Sequence, residues 1–435
     1  MRDAATDPDV EADGPADADD SRRSTTGTAS GREWSRRRAL ASLASAGSLA
    51  LAGCSLPSLG GVDPVWERDF PDAVGAGQPA ASADHVVVGG QDRRIHGFTA
   101  DGERVVDIET GGPVEARPAV PASGGPVHVH STDGDLYTVD LSGERLWHVE
   151  GLDRDGWLGR SGSLVVHSDP VEGTVTGYDA RDGARRFRRP GQDYPAPTLG
   201  DAVCLLARPD SDGERTYVAV DPATGEVRWA LGPDEGYPWA VAGDRVVTVR
   251  DATVRLRRAR DGSVLWHRAV EGDVGDGFGR PVWVGEDVYV RVEHRDGPDE
   301  LVALDREAGD VLWRRAVGFE LEAVTATAEG VFTASEAEDP DGGILIRLDA
   351  FDADGTRRWQ TTTDISIGGT VEALGRTGEV VFAASDNEIA AYDPDGGQRR
   401  WRHEPDASRI GIAAAGDALY VSYRDRGGVA RLPTG

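Results

Sequence analysis

Ala219-Val220-Asp221-Pro222-Ala223-Thr224-Gly225-Glu226-Val227-Arg228-Trp229 is the stretch on which the fold turns. The run Tyr217-Val218-Ala219-Val220 leads into Asp-Pro-Ala-Thr-Gly, and the next segment carries Trp229. Pro222 presets φ near −65°, as a turn requires. Asp221 can accept hydrogen bonds from backbone N–H groups two residues on. Gly225 supplies a positive φ at no steric cost. Short β-branched and aromatic runs bounded by such residues are strand and hairpin signals, so the stretch reads as two strands around a tight turn.

The pattern recurs along the chain. An aromatic or bulky residue follows a turn glycine by four positions at Gly143/Trp147, Gly183/Phe187, Gly225/Trp229, Gly262/Trp266, Gly309/Trp313, Gly355/Trp359 and Gly397/Trp401. Gly102/Val106 is a degenerate copy, and Trp66 fits the strand but lacks the glycine. From position 66 the spacings are 40, 41, 40, 42, 37, 47, 46 and 42 residues. A period of this size is the mark of propeller blades. Each unit also holds a short first segment such as Arg117-Pro118-Ala119-Val120 and an apolar run such as Val246-Val247-Thr248-Val249. That makes four strands per unit, and one large aromatic per unit can fill the wedge between neighbouring sheets. The expected fold is all-β, a β-propeller of eight or nine four-stranded blades. Trp401 is followed by three strand-like runs without an aromatic strand of their own, and Trp66 can supply it. N- and C-terminal strands together would then close the ring and leave no open sheet edge.

The Ala219–Trp229 stretch resembles the A-x-D-x-x-T-G-x-x-x-W motif of the PQQ-like propeller repeat, and Ala303-Leu304-Asp305 through Trp313 is a second good copy. The resemblance covers residues 63–435. With the anchor described next, the chain is similar to BamB-like lipoproteins and to PQQ-like lipoproteins of haloarchaeal type.

Residues 1–30 are acidic and small, with little to bury, and are expected to be disordered. Residues 31–53 contain Ser35-Arg36-Arg37-Arg38-Ala39-Leu40, a mildly apolar stretch and Leu51-Ala52-Gly53, followed by Cys54. The order resembles a twin-arginine signal peptide ending in a lipobox. The apolar stretch is too short for a comfortable membrane span. Cleavage before Cys54 would free its thiol to carry lipid, with residues 54–62 as tether. The expected address is the outer face of the cytoplasmic membrane. Cys204 is the second of two cysteines and sits in an apolar run, so it reads as a buried residue and a disulfide is not expected.

The formal net charge is −29, from 76 acidic and 47 basic residues, every basic one being arginine. Such a surface repels phosphate backbones, which argues against nucleic acid partners. It also repels itself unless salt screens it, and this points to a halophile.

The residues carry few signs of catalysis. Quinoprotein dehydrogenases, which the repeat brings to mind by resemblance, use vicinal cysteines and a calcium held partly by asparagine. This chain has no adjacent cysteines, and its single asparagine, Asn387, lies in a hairpin. PQQ and calcium are therefore not supported as cofactors. His128 and His130 share a strand face and could chelate a metal, but lack a third ligand nearby in sequence, so a solvent- or channel-facing strand is the expected reading. Asp352-Ala353-Asp354-Gly355 and Asp339-Pro340-Asp341-Gly342 read as hairpin turns rather than calcium loops. Arginine runs such as 185–189 are expected to pair with carboxylates on outer strands. Loops leading into the first strands of successive blades carry Trp157 and Arg160, then Tyr194, then Tyr237 and Trp239, then Phe278 and Arg280. Aromatic and arginine side chains are common anchors of binding surfaces, which makes these seven a candidate platform. The alternative is that the rings fill gaps between blades. The expected function is a non-enzymatic, membrane-anchored binding or scaffold module with an unidentified protein partner. A quinoprotein enzyme and a small-ligand sensor or solute-binding lipoprotein are the alternatives.

Overall fold

The computed structural model describes residues 61–70, 75–121, 124–190, 197–209, 215–274, 282–294, 297–338, 344–363, 371 and 373–435. Residues 1–60, which include the stretch read as a signal peptide and Cys54, lie outside them. Among the described residues no helix is long and apolar enough to cross a membrane.

Nine antiparallel sheets form the blades of a propeller, each running from an innermost strand a to an outermost strand d. Strands a of successive blades adjoin one another, as Tyr237–Ala242 of blade 5 does with Thr198–Leu199 of blade 4 and Val282–Val284 of blade 6. In blade 2, strand a is reduced to one bridge, Ala119 with His128. Pro118 and Pro121 flank that bridge, and a residue without an N–H cannot extend a ladder.

The ring closes in blade 9. Its inner three strands are Ile410–Ala415, Ala418–Tyr423 and Gly428–Leu432, and its outer strand is Trp66–Asp69, paired as Trp66↔Arg431 through Asp69↔Gly428. Sequence counting left eight or nine blades open; the count is nine, closed by strands from both ends of the repeat region.

The repeated Gly and Trp meet across blades rather than within one. A Cβ on Gly355 would lie 2.5 Å from Cγ of Trp313 in the preceding blade, and one on Gly397 would lie 2.7 Å from Trp359. Gly102, Gly183, Gly225, Gly262 and Gly309 stand in the same way against Trp66, Trp147, Phe187, Trp229 and Trp266. The indole N–H then donates to a carbonyl of the same turn: Trp229 to Ala259 at 2.8 Å, Trp266 to Arg306 at 2.9 Å, Trp313 to Ala353 at 2.9 Å and Trp359 to Pro394 at 2.8 Å. Each turn is thus a seat for the neighbour's ring. The seat needs glycine both for its left-handed φ, +77° at Gly355, and for the missing Cβ. Trp401 is the exception, because the turn that would receive it is interrupted by the chain ends.

The turn aspartate works locally. Asp221 Oδ1 accepts the Ala223 N–H at 2.7 Å, and Asp393 Oδ1 accepts those of Asp395 and Gly396 at 2.9 Å. A bulge before each such turn inserts one residue on strand d, as between Ala219↔Trp229 and Val220↔Val227. The inserted residue is Arg228 in blade 4, and its guanidinium returns to Asp221 at 2.6 Å. Arg186, Arg358 and Arg400 repeat the pairing with Asp179, Asp352 and Asp393. Residues 185–189 lie on an outer strand, where Arg188 also pairs with Glu172.

Candidate functional site

The innermost strands of blades 1 to 4, 8 and 9 enclose a cavity of about 640 Å³ in the central channel. Its wall includes Arg117, Trp157, Arg160, Leu199, Phe382 and Ile412, and no aspartate or glutamate among the described residues. The sequence at this wall, Trp157-Leu158-Gly159-Arg160, explains how a large ring and a cation fit side by side. A Cβ on Gly159 would lie 2.1 Å from the Trp157 ring, so the indole lies over the bare glycine. The Trp157 backbone N–H donates to Ser168 Oγ at 3.1 Å, and the ring packs against the apolar cluster between blades 3 and 4.

Both arginines are tied to backbone rather than to acids. Arg117 donates from Nη2 to the Ile412 carbonyl at 2.6 Å, across the junction of blades 2 and 9. Arg160 donates from Nε to the Gly162 carbonyl at 3.1 Å and from Nη1 to His128 Nε2 at 3.3 Å. Neither forms an ion pair among the described residues, whereas most strand-d arginines described above do. The surrounding protein lowers the pKa of both guanidinium groups from their ordinary value, with Asp201 acting in the opposite sense on Arg160. Both stay charged at any ordinary pH, because an arginine is not deprotonated in a protein. The cavity therefore offers two cations, an indole and apolar walls, a combination suited to an anionic group with an apolar body.

Of the other platform residues, Tyr237 and Trp239 lie on strand Tyr237–Ala242 and do not line this cavity. Tyr237 makes an edge contact with Tyr217, ring centroids 6.1 Å apart. Trp239 packs on the apolar cluster between blades 5 and 6. Tyr194, Phe278 and Arg280 lie outside the described residues. The structure thus brings Trp157 and Arg160 together, adds Arg117, and sets Tyr237 and Trp239 between blades. Sequence reading missed Arg117: by register Ala119 matches Gly159, so Arg117 falls at the position of Trp157 rather than of Arg160, and its spacing offered no signal.

His128 and His130 do share a face, but that face is buried against blade 3 rather than open to solvent or channel. His128 Nδ1 lies 2.8 Å from Thr138 Oγ1, and the His130 ring lies 4.8 Å from that of His167. Burial holds the His128 pKa down at about 3, with help from the Arg160 charge, and that of His167 at about 4. Cys204 is wholly buried, and burial pushes its thiol pKa up. Asp352–Gly355 is the seat for Trp313, not a cation loop.

Among the described residues, a cysteine pair and an asparagine of the kind quinoprotein dehydrogenases use are not brought together. Asn387 sits in the hairpin of blade 8, where Ser385 Oγ lies 3.3 Å from its side-chain oxygen. Cys204, the one described cysteine, is unpaired.

The family model described as outer membrane protein assembly factor BamB matches residues 60–193, 171–273 and 250–429. The chain belongs to this family. No curated protein matches it. Among solved structures it is similar to BamB from Moraxella catarrhalis, at 15% identity and TM-score 0.49 over 85% of this chain and 97% of that one. It is similar to the C-terminal WD40 domain of Sif2 at 11% identity and TM-score 0.51, over 86% and 99%. It is also similar to the dihydro-heme d1 dehydrogenase NirN in complex with DHE, at 15% identity and TM-score 0.49 over 77% and 78%. The Sif2 likeness shows the fold alone, and the other two add nothing to it.

Proposed function

We propose that this BamB-family propeller is a binding module rather than an enzyme. In this reading it is lipid-anchored through Cys54 at the outer face of the cytoplasmic membrane, works in concentrated salt, and receives an acidic segment of a protein partner in its channel. The observation that carries the reading is the Arg117–Arg160 pair. In a chain of net charge −29, two arginines that form no ion pair among the described residues face one cavity beside an indole. Family membership supports a scaffold role, and the twin-arginine and lipobox motifs support the address. The assembly role in the family's description belongs to BamB itself.

A photo-crosslinking amino acid placed at Val120, which lines the cavity and leaves both arginines in place, tests this in native membranes. A discrete adduct from position 120, absent from the outer-strand position 228 and lost on Arg117→Glu or Arg160→Glu, is the expected result. Equal adducts from both positions would remove the channel from the proposal. Cys54→Ser should release the protein from the membrane fraction. Saturable quenching of tryptophan fluorescence by stoichiometric pyrroloquinoline quinone with calcium would overturn the non-enzymatic reading.

A further inference from the structure

Blade 2 carries a second group of side chains that the channel does not use. In its outer pair of strands, Leu136–Val139 and Arg145–Val149, the register is Tyr137↔His148 and Leu136↔Val149. Continued one step, that register sets Asp135 opposite Glu150. Strand alternation then places Glu150 on the same face as His148. His148 Nε2 and Glu150 Oε1 are 2.9 Å apart, and one ligand atom from each of Asp135, His148 and Glu150 lies within 4.8 Å of the others.

Two carboxylates opposed across an antiparallel pair repel each other. Elsewhere the outer strands relieve such charge with arginine, as Arg94 does for Asp107 and Arg314 for Glu300. Among the described residues no arginine pairs with Asp135 or Glu150. The Tyr137 ring stacks on His148 at 6.0 Å and 15°, which limits the turning of the imidazole. Asp135 Oδ1 accepts the Gly151 N–H at 3.1 Å, which fixes the carboxylate from one side.

An independent feature adjoins the group. A crevice of about 550 Å³ runs between blades 2 and 3, and Glu150 and Gly151 are in its wall. His167, only 2% exposed, lines the same crevice, with its imidazole set against the backbone of Asp153 and Gly156.

We propose that Asp135, His148 and Glu150 bind a divalent transition-metal ion of the zinc class at the edge of this crevice. One imidazole and two carboxylates make a mixed N/O donor set, which suits zinc and its neighbours better than calcium or magnesium. Bonds of about 2.0–2.2 Å require the three donor atoms to draw closer than they stand. Glu150 is free to do this, since its side chain is 75% exposed.

The test uses cobalt(II) as probe, titrated into the purified full chain at fixed high NaCl. The expected result is one saturable site with a visible absorption band, weakened at least tenfold by His148→Ala and competed by zinc. Asp135→Asn should weaken it likewise, while Asp261→Asn, an exposed turn acid of blade 5, should leave it unchanged. Copper(II) electron paramagnetic resonance should show nitrogen coupling that His148→Ala removes. Many weak sites with no saturable one, or a site indifferent to His148→Ala, would overturn the proposal. Loss in His148→Ala together with a changed circular dichroism spectrum is resolved by His148→Gln: unchanged binding in that variant, with native circular dichroism, also overturns it.

Discussion

The seat between blades makes a quantitative prediction for Gly355→Ala. Two costs should add. An alanine at φ +77° carries left-handed strain of roughly 1–2 kcal/mol. Its Cβ would lie 2.5 Å from Trp313 Cγ and 2.6 Å from Cδ2, where carbon atoms settle at about 3.5–4.0 Å. The ring must therefore retreat by about 1 Å. Trp313 is 5% exposed, and burying a tryptophan removes roughly 200 Å² from water, worth about 5 kcal/mol. Losing a third of that, with the bond from its indole to Ala353, costs about 2–3 kcal/mol. Gly151→Ala is the control: its φ is +74°, and a Cβ there meets nothing within 4 Å. It should lose only the strain of about 1–2 kcal/mol. Urea midpoints at fixed high salt, followed by near-ultraviolet circular dichroism, measure both; the first transition is the one compared, since a repeat protein need not unfold in one step. Trp313→Leu in the Gly355→Ala background should recover part of the loss, so the two changes will not add. Equal shifts for Gly355→Ala and Gly151→Ala would falsify the docking argument and leave backbone strain as the whole role of the glycine.

Acid should destabilise the fold well above the carboxylate range. His128 and His167 stay neutral down to about 3 and about 4, whereas in the unfolded chain they take up protons near 6.5. Stability from this source is complete above pH 6.5 and is lost as pH falls from there toward the folded values, on the order of 2 kcal/mol between pH 6 and pH 5. His96, His130 and His403 are shifted the same way by burial, while Glu322 and Glu336, raised by burial, act oppositely. A urea midpoint that does not move between pH 7 and pH 5 contradicts this. Asp349 is fully buried and holds Arg347 at 2.7 Å and Arg357 at 2.9 Å, so Asp349→Ala should cost about 3 kcal/mol by stranding two guanidinium groups; a loss under 1 kcal/mol would show that water replaces the carboxylate. Trp66→Ala should cost about 3–5 kcal/mol and loosen the ring at blade 9 first. Hydrogen exchange should then rise earliest in Gly428–Leu432, and uniform exchange around the ring would speak against closure by this strand.

Fold and seam were legible because they depend on short-range pattern. The Gly-x-x-x-aromatic period marks seven blades from a few residues, Gly102/Val106 is a degenerate copy, and the three runs after Trp401 that lack an aromatic strand already offered Trp66 as the closing strand. The motif does not by itself say which residues meet: Gly355 stands four before Trp359, yet it seats Trp313, 42 residues earlier in number. A sequence motif of a repeat protein thus joins halves of two different interfaces. Strand a of blade 2 was read from Arg117 to Val120, but the prolines beside Ala119 reduce it to a bridge. The period of two put His128 and His130 on one face, and nothing in their spacing said that blade 3 covers it.

The channel was harder to read, for an electrostatic reason. Net charge describes the average surface, and here it hides two arginines whose neighbours in space are carbonyls. Arg117 follows Glu115 in sequence, so local charge suggests a neutralised pair; the fold carries its guanidinium away to Ile412 of blade 9. In the high-salt setting proposed for this chain, the Debye length is roughly 3 Å, so a charge of −29 neither steers nor repels a partner from a distance. Only charges in contact then discriminate between ligands. Outer-strand arginines already spend their hydrogen bonds on carboxylates, and surface pairs of that kind are worth about 0–1 kcal/mol. Arg117 and Arg160 lie between protein walls beside Trp157, where a bidentate carboxylate contact keeps most of its strength. If recognition works through them, Arg160→Lys should weaken it nearly as much as Arg160→Ala, because a lysine cannot reproduce the planar fork. Full retention of binding with lysine would reduce the site to simple charge.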